Sequence, residues 1–285
     1  MMLRNNFAVY TTEIKIKVSA IVLSSILEKL TIVAAQPRLI FDYALYRMGR
    51  KSAESPFGVR LMGATYSEIR SIRNLRPGPH EIQLIRSLPA DGVLFDVGAH
   101  VGTWTCALAT AHPQASIHAF EASPQTFITL RHNVDRNKLA NVVLNQAAVS
   151  DSSGYLEFQA PRNASVFGRI RADGNAQHRF DHAEIVSVPC LRLADYCRAK
   201  EIKYIDFLKV DVEGAEPRVL RGVLSEIPVG RLWIEVDEAN LADMGHSLAE
   251  LAEVVTSAGY RFLMKDGLEA NICERRDGNM LVLRR

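Results

Sequence analysis

Short apolar runs alternate with amphipathic stretches over most of the chain. The runs predict five buried strands, at residues 93–97, 115–120, 142–149, 204–210 and 231–236. Helical patterns predict helices at residues 102–111, 124–138, 192–200, 215–222 and 247–258. Strands that alternate with helices are typical of crossover units around a parallel sheet, so we predict an α/β fold. A turn at residues 277–279 predicts a closing hairpin with the strand near 260–264.

A second amphipathic pattern lies near the start of the chain. Apolar residues recur every four positions from Ile14 to Leu30, which predicts a helix that ends near Pro37. Its longest uncharged run, Val18 to Leu27, is about half of the roughly twenty residues that a membrane span needs. The turn-forming residues 74–80 predict a boundary between a helical extension, 1–75, and a main domain, 76–285.

The role of this extension has two interpretations. In the first, the amphipathic helix packs on its own domain or on a second subunit, and the latter would make the protein a homo-oligomer. Residues 1–60 also carry nine Lys and Arg against four Asp and Glu, so the helix could instead make peripheral contact with an anionic membrane surface.

Composition narrows the class of protein. A chain with 48% hydrophobic and 23% charged residues is expected to fold into a globular domain. A net charge of +2 gives no reason to expect a nucleic-acid partner. The four cysteines include no Cys-x-x-Cys pair and no zinc spacing, which favours reduced thiols and a cytoplasmic location.

The stretch 159–184 interrupts the regular alternation. It combines turn-forming residues with several arginines. A long irregular segment within a compact domain is usually functional or mobile, so we expect a substrate-facing loop or, alternatively, a solvated insertion.

The first chemical motif follows the strand at 93–97. Asp96 lies near the end of that strand, and a turn with Gly98 and Gly102 leads into a helix from Thr103. Glycines allow the backbone to approach a ligand closely, and a helix start offers unpaired N–H groups. The Gly-x-x-x-Gly spacing differs from the Gly-x-Gly-x-x-Gly of dinucleotide sites, which favours a ligand without a phosphate at this point.

The second motif lies at the end of the next strand. Glu121 occupies the position where an α/β nucleotide site binds ribose hydroxyls, and Ser123 is expected to cap the following helix. The two motifs together indicate an adenosine-containing cofactor without a diphosphate, and S-adenosylmethionine fits that description best.

A third motif places acids at the end of the strand at 204–210. Asp211, Glu213 and Glu216 lie within six residues of one another, where charge repulsion is costly unless a cation, a proton or a hydroxyl group intervenes. The alternative is that Glu213 and Glu216 stabilise a helix start.

These motifs resemble those of the FkbM-type methyltransferases. The resemblance covers about residues 90–265 and rests on Asp96-Val-Gly-Ala-His-Val-Gly102, Asn145-Gln-Ala-Ala-Val-Ser-Asp151 and Leu208-Lys-Val-Asp-Val-Glu-Gly-Ala-Glu216. It implies a seven-stranded, mostly parallel Rossmann-like sheet, S-adenosylmethionine as the methyl donor, and transfer to a hydroxyl oxygen of a sugar, glycan, glycoside or other secondary metabolite. Two positions depart from the family pattern, namely His100, where Asn is common, and Asp237, where His is frequent.

The resemblance also assigns site residues. The resemblance, together with the glycine motif and the Glu121 motif, predicts a set of cofactor-binding residues. They are Asp96, Gly98, Ala99, His100, Gly102, Thr103, Glu121, Ala122, Ser123, Ala147, Ala148 and Asp211.

The catalytic group remains open at this point. Asp211 is the first candidate for the base or for the group that orients the hydroxyl, and Glu213 is the second. The alternative is a magnesium or calcium ion held by Asp211 and Glu213 with Glu235 or Asp237. His100, His182 and His246 are further possible bases.

Two other functions compete with methyl transfer. An NAD-dependent dehydrogenase would use a Tyr-x-x-x-Lys pair, and Tyr196 and Lys200 have that spacing. The second competing function is that of a non-catalytic binding protein that retained the fold.

Overall fold

The computed structural model describes residues 46–49, 51–54, 57–66, 68–69, 72, 79–161, 169–170, 183–263, 271–272 and 277–284. Contacts divide the chain into two compact units, Met1–Arg50 and Lys51–Arg285. The predicted helix at 14–34 lies outside the described residues. The predicted boundary after residue 75 stays a prediction, because residues 73–78 are also outside them.

Bounds are defined for thirteen strands and seven helices of the second unit, and residues 66, 68–69 and 72 are also helical. The strands are β1 (Ser52–Glu54), β2 (Arg60–Met62), β3 (Val93–Val97), β4 (Ser116–Phe120), β5 (Val142–Asn145), β6 (Ala148–Ser150), β7 (Gly154–Pro161), β8 (Arg169–Ile170), β9 (Ala183–Arg192), β10 (Ile205–Val210), β11 (Val229–Asp237), β12 (Tyr260–Leu263) and β13 (Asp277–Arg284). The helices are α1 (Pro79–Arg86), α2 (Thr103–Ala111), α3 (Pro124–Arg136), α4 (Leu193–Ala199), α5 (Glu216–Arg221), α6 (Glu238–Asp243) and α7 (Leu248–Ser257).

The main sheet has the strand order β12-β13-β11-β10-β3-β4-β5. The five neighbours from β11 to β5 are parallel, whereas β13 pairs antiparallel with both β11 and β12. This arrangement confirms the predicted α/β class with a predominantly parallel sheet. From β3 the chain proceeds outward through β4 and β5 on one side and returns to β10 and β11 on the other. Ligands bind at such a switch point, outside the carboxyl ends of the strands.

The sheet forms the middle of three layers. Leu94, Phe207 and Trp233 pack on one face against α1 and α2. Phe95 and Leu208 lie on the other face, in a core with residues of α4, α5 and α7. Because strand side chains alternate between faces and both faces are covered, apolar residues predominate in these strands, as the apolar runs predicted, and the polar Asp96 and Lys209 are themselves buried.

Two predicted features of the strands are wrong in detail. The run 142–149 forms two strands, because β5 ends at Asn145 and β6 joins a different sheet. Residues 277–279 form no turn, since they continue β13 and pair with residues 235–237 of β11. The predicted antiparallel pairing of the last strand with the strand near 260–264 is confirmed.

A second sheet occupies part of the predicted irregular stretch. Its strand order is β6-β9-β7-β8, with β7 and β9 forming a long antiparallel pair. Residues 159–161 and 183–184 are therefore strand rather than irregular. Residues 162–168 and 171–182 lie outside the described residues.

The β1–β2 pair is attached to α3 through one buried side chain. Asn133 donates from Nδ2 to the carbonyl oxygens of Met62 (2.9 Å) and Val101 (2.8 Å), and its Oδ1 accepts from the Met62 N–H (2.7 Å). Asn133 thereby fixes the turn that precedes α2. Across the described part of the chain, no helix has the length and apolar character that a membrane crossing requires.

Candidate cofactor and active site

The turn after β3 lies against the loop after β10. Gly98 has a φ of +80°, and a Cβ there would lie 1.7 Å from the carbonyl oxygen of Asp211. The N–H groups of Gly98 and Ala99 both donate to the carbonyl oxygen of Phe120, at 3.0 and 2.9 Å. Glycine at position 98 is therefore required by the close approach of two loops, whatever it does for a ligand.

Gly102 ends this turn and begins α2. Its φ is +91°, and a Cβ would lie 2.7 Å from the Cδ1 of Leu130 on α3. Within the described residues no side chain caps the helix, so the N–H groups of its first turn, from Thr103, are not taken up by a cap.

Glu121 is a buried carboxylate at the end of β4. Its Oε2 accepts from the N–H of His100 and its Oε1 from the N–H of Ser123, both at 2.8 Å. Burial raises the pKa of Glu121 to about 7, against the opposing effect of these two hydrogen bonds. A carboxylate offers about four acceptor positions, so Glu121 can accept further hydrogen bonds from hydroxyl groups.

A buried lysine joins the acids of β3 and β10. Lys209 lies directly opposite Asp96 in the parallel register, and its Nζ is 2.9 Å from Oδ2 of Asp211 and 3.6 Å from Oδ1 of Asp96. Oδ2 of Asp96 accepts from the hydroxyl of Thr105 at 2.6 Å, while its buried Oδ1 has no hydrogen-bond partner among the described residues. Burial alone would lower the pKa of Lys209, but Asp211 and Asp96 raise it above its usual value.

Asp211 and Glu235 form a pair of carboxyl groups at the ends of adjacent strands. Burial alone would raise the pKa of Asp211, but Lys209 and a hydrogen bond with Glu235 hold it below its usual value. The charge of Asp211, with burial second, raises the pKa of Glu235 to about 8. Glu235 is therefore the protonated partner at neutral pH. It is also the exposed member of the pair, since Asp211 is partly buried, and Lys209 beside them is only 5% exposed.

His100 lies in the same crevice without adding charge. Its φ is +50°, a region that histidine tolerates better than most residues. Burial lowers the pKa of its imidazole to about 4, so the ring is neutral at neutral pH. Three carboxyl groups, those of Asp211, Asp96 and Glu235, thus act on the ammonium group of Lys209, and Glu121 interacts electrostatically with two of them, Asp96 and Asp211.

Glu213 and Asp237 have local partners on α6. Oε2 of Glu213 accepts from Nδ2 of Asn240 (2.6 Å), and Asp237 caps the helix by accepting from the Asn240 N–H (2.9 Å). Nowhere in the described residues do three His, Cys, Asp or Glu side chains come together as metal ligands. A metal held by Asp211, Glu213, Glu235 and Asp237 stays a prediction without structural support.

Glu216 has a structural role. Its Oε1 accepts from the N–H groups of Val212 (3.1 Å) and Gly214 (3.2 Å), which fixes the turn that follows Asp211. Burial raises the pKa of Glu216 to about 7. Glu216 thus holds the turn before α5 while Glu213 bonds Asn240 of α6, so a joint role of the two acids at a helix start stays a prediction.

The remaining predicted cofactor residues border the same edge of the sheet. Ser123 caps α3 as predicted, with its Oγ accepting from the Thr126 N–H at 3.3 Å. Ala122 follows Glu121, and the buried Ala147 and Ala148 lie between β5 and the start of β6.

Two other candidates lie away from this edge of the sheet, and a third is not among the described residues. The hydroxyl of Tyr196 bonds Nδ1 of His118 in the middle of β4, at 2.8 Å, so Tyr196 and Lys200 form no catalytic pair at the carboxyl edge. Nδ1 of His246 bonds Glu250 at 2.9 Å beside α7. His182 lies outside the described residues.

Sequence reasoning missed the roles of Lys209 and Glu235. Lys209 shares a face with Asp211 two residues later, which the sequence does indicate. Its opposition to Asp96, and the position of Glu235 beside Asp211, depend on the registers of β3 and β11 with β10. Residue spacing within one strand cannot reveal such registers.

Comparison with known proteins identifies the family. The sequence profile described as "Methyltransferase FkbM domain" matches residues 96–262. "31-O-demethyl-FK506 methyltransferase FkbM" of Streptomyces tacrolimicus is 32% identical over 197 residues, which cover 60% of this chain and 73% of that protein. "Methyltransferase 1" of Beauveria bassiana is 30% identical over 191 residues, with coverages of 62% and 75%. "Hexuronic acid methyltransferase AglP" of Haloferax volcanii is 29% identical over 174 residues, with coverages of 61% and 67%. The chain therefore belongs to the FkbM methyltransferase family, whose activity is S-adenosylmethionine-dependent O-methylation.

Proposed function

We propose that the acceptor is a hydroxyl group of a sugar, a glycan or a glycosylated or other secondary metabolite, and that the protein binds no nucleic acid. Two relatives support this choice of acceptor, since their names specify a hexuronic acid and 31-O-demethyl-FK506. The observation that carries the proposal is the acidic crevice at the switch point of the sheet, where the carboxyl groups of Asp96, Asp211 and Glu235 act on Lys209 and Glu121 interacts with the first two.

The residues of this crevice fit S-adenosylmethionine. Oδ1 of Asp96, buried and without a hydrogen-bond partner among the described residues, suits an ammonium group. Glu121 retains acceptor capacity for two adjacent ribose hydroxyls. The turn from Gly98 to Gly102, with Thr103, would border the methionine part, and Ala122, Ser123, Ala147 and Ala148 the adenine side. When bound, this cofactor supplies a methyl group on a positively charged sulfur, which a net acidic crevice stabilises.

The Asp211–Glu235 pair is our candidate for handling the acceptor's proton. Lys209 fixes Asp211 in its ionised form, so Asp211 can orient a hydroxyl group by accepting its hydrogen bond. Glu235 has a pKa of about 8 and is protonated at neutral pH, and its exposed position allows a proton that it shares with Asp211 to leave to water. Asp211, the ionised member of the pair, would take the hydroxyl proton while the acceptor oxygen gains the methyl group, and S-adenosylhomocysteine would be the leaving group. Glu213, bonded to Asn240, supports the turn from the side.

Binding measurements test the proposal against its alternatives. We expect S-adenosylmethionine and S-adenosylhomocysteine, but not NAD, to raise the melting temperature, because ligands that bind only the folded state stabilise it. A shift with NAD alone would favour the dehydrogenase. Binding of S-adenosylmethionine without release of S-adenosylhomocysteine, across a panel of hydroxylated acceptors, would favour the non-catalytic binding protein.

The environment of the protein stays open to test. Contact of the helix at 14–34 with a membrane surface and its use in a homo-oligomer stay predictions, because that helix lies outside the described residues. A cytoplasmic location, which the cysteine pattern favours, also stays a prediction.

A further inference from the structure

The second sheet forms an apolar wall beside the acidic crevice. Alternate residues of β7 and β9 face the same way, so that Leu156 pairs with Val188 and Phe158 with Val186 on the inner face. Phe158 and Val188 are buried in a common cluster with Ala148, Ala215 and Met244, as the contacts among these residues establish.

This cluster joins residues from several elements that border the crevice. Ala148 belongs to the strand that follows the tip of β5, whereas Ala215 follows the turn after Asp211 and Met244 follows α6. Ala122 and Val212, which pack against the cluster, come directly after the site acids Glu121 and Asp211. The apolar surface therefore begins where the carboxyl groups end.

Two residues of the inner face are not fully covered. Leu156 and Val186 contact the cluster but are only partly buried, as are Ala122 and Val212. On the outer face the neighbouring side chains are exposed, with Tyr155 at 78% and Ile185 at 40%. The inner face thus retains accessible apolar surface next to the site, and such surface favours contact with an apolar group.

We propose that Leu156 and Val186 are specificity-determining residues, which select acceptors whose reacting hydroxyl lies near an apolar group. This inference rests on the proposed function and names a narrower acceptor class. A sugar hydroxyl would approach the Asp211–Glu235 pair while an alkyl or ring substituent of the same molecule lies against the wall.

Methyl and octyl β-D-glucuronide test this inference, because they carry the same hydroxyl groups and differ in apolar surface. We expect the kcat/KM of the wild-type protein to be higher for the octyl glycoside. Val186→Thr keeps the shape and the β-branch but adds a hydroxyl group, and it should lower the octyl-to-methyl ratio of kcat/KM at least about fivefold. Leu156→Ala should act in the same direction.

Matched controls come from the opposite face of the same strands. Ile185→Thr and Tyr155→Ala should leave the ratio unchanged. The Kd of S-adenosylmethionine and the melting temperature, measured for every variant, separate a loss of selectivity from a loss of structure. If Leu156→Ala unfolds, Leu156→Met, which keeps the volume and alters the shape, replaces it.

The outcomes separate this inference from the proposed function. Equal use of the two glycosides by the wild-type protein, an unchanged ratio in Val186→Thr, or an equal effect of Ile185→Thr would overturn the inference. Binding of S-adenosylmethionine without transfer to either glycoside would also overturn it, and leave other hydroxyl acceptors open. A protein that does not bind S-adenosylmethionine would overturn the proposed function itself.

Discussion

Glu121 predicts that the affinity for S-adenosylmethionine depends on pH. The pKa of its buried carboxyl group is about 7, so the group is half protonated at neutral pH. Ribose hydroxyls donate hydrogen bonds to the ionised form, and binding therefore favours loss of this proton. Since about one tenth of Glu121 is ionised one unit below its pKa, we expect the cofactor's Kd near pH 6 to be about tenfold higher than near pH 8.

The Glu121→Gln variant isolates this contribution. It lacks the charge, and we expect it to lose about 1.5–3 kcal/mol of binding free energy near pH 8, the size of hydrogen bonds to a charged group. Its Kd should also lack the part of the pH dependence that Glu121 causes. Calorimetric titrations from about pH 6 to pH 8 measure both effects, with Glu253→Gln, an exposed glutamate on α7, as the matched control. A wild-type Kd that is constant over this range, or a Glu121→Gln variant that binds like the parent, would refute the assignment of Glu121 to the ribose.

Three further predictions follow from the same site. Asp211→Asn should keep cofactor binding, but its rate of methyl transfer should fall at least about 10²-fold. The rate is measured as release of S-adenosylhomocysteine, and near-parental turnover would contradict a role of Asp211 in the reaction. The pKa of Glu216 rises from 4.5 to about 7 on folding, so stability falls as the pH rises between these values. Above pH 7 the free energy of unfolding of Glu216→Gln should therefore exceed that of the wild type by up to about 3 kcal/mol, and below pH 4.5 the two should be equal. Denaturant titrations measure this difference, and a difference that does not vary with pH would contradict the reasoning. Gly98→Ala should destabilise the protein by at least about 2 kcal/mol more than Gly245→Ala. Both glycines have a positive φ, but only at Gly98 would the added Cβ clash with a backbone oxygen. Equal melting temperatures of the two variants would exclude that clash.

The cofactor side of the site could largely be predicted from sequence. Gly98, Gly102 and Glu121 lie directly after β3 and β4, and parallel strands bring their carboxyl ends to one edge. Local sequence also determines the helix at 124–136, because Ser123 caps it and Pro124 occupies its first turn.

The acceptor side could be predicted only in part. Whether Asp211 is ionised depends on Lys209 and Glu235, whose positions follow from the pairing of β10 with two other strands. The second sheet was missed for a different reason. Residues 155–158 alternate between exposed and covered positions in the structure, but the turn-forming residues of 161–175 obscured this strand and its pairing with β9 in the sequence.

Transfer of an isotope label tests the central claim most directly. The protein is incubated with S-adenosylmethionine that carries a ¹³C-labelled methyl group and with a hydroxylated acceptor such as octyl β-D-glucuronide, and the product is examined by NMR. The account predicts one new ¹³C resonance of a methyl group bonded to oxygen, absent in Asp211→Asn, together with an equal amount of S-adenosylhomocysteine. A labelled methyl group on nitrogen or carbon, or no labelled product with any hydroxylated acceptor, would contradict it.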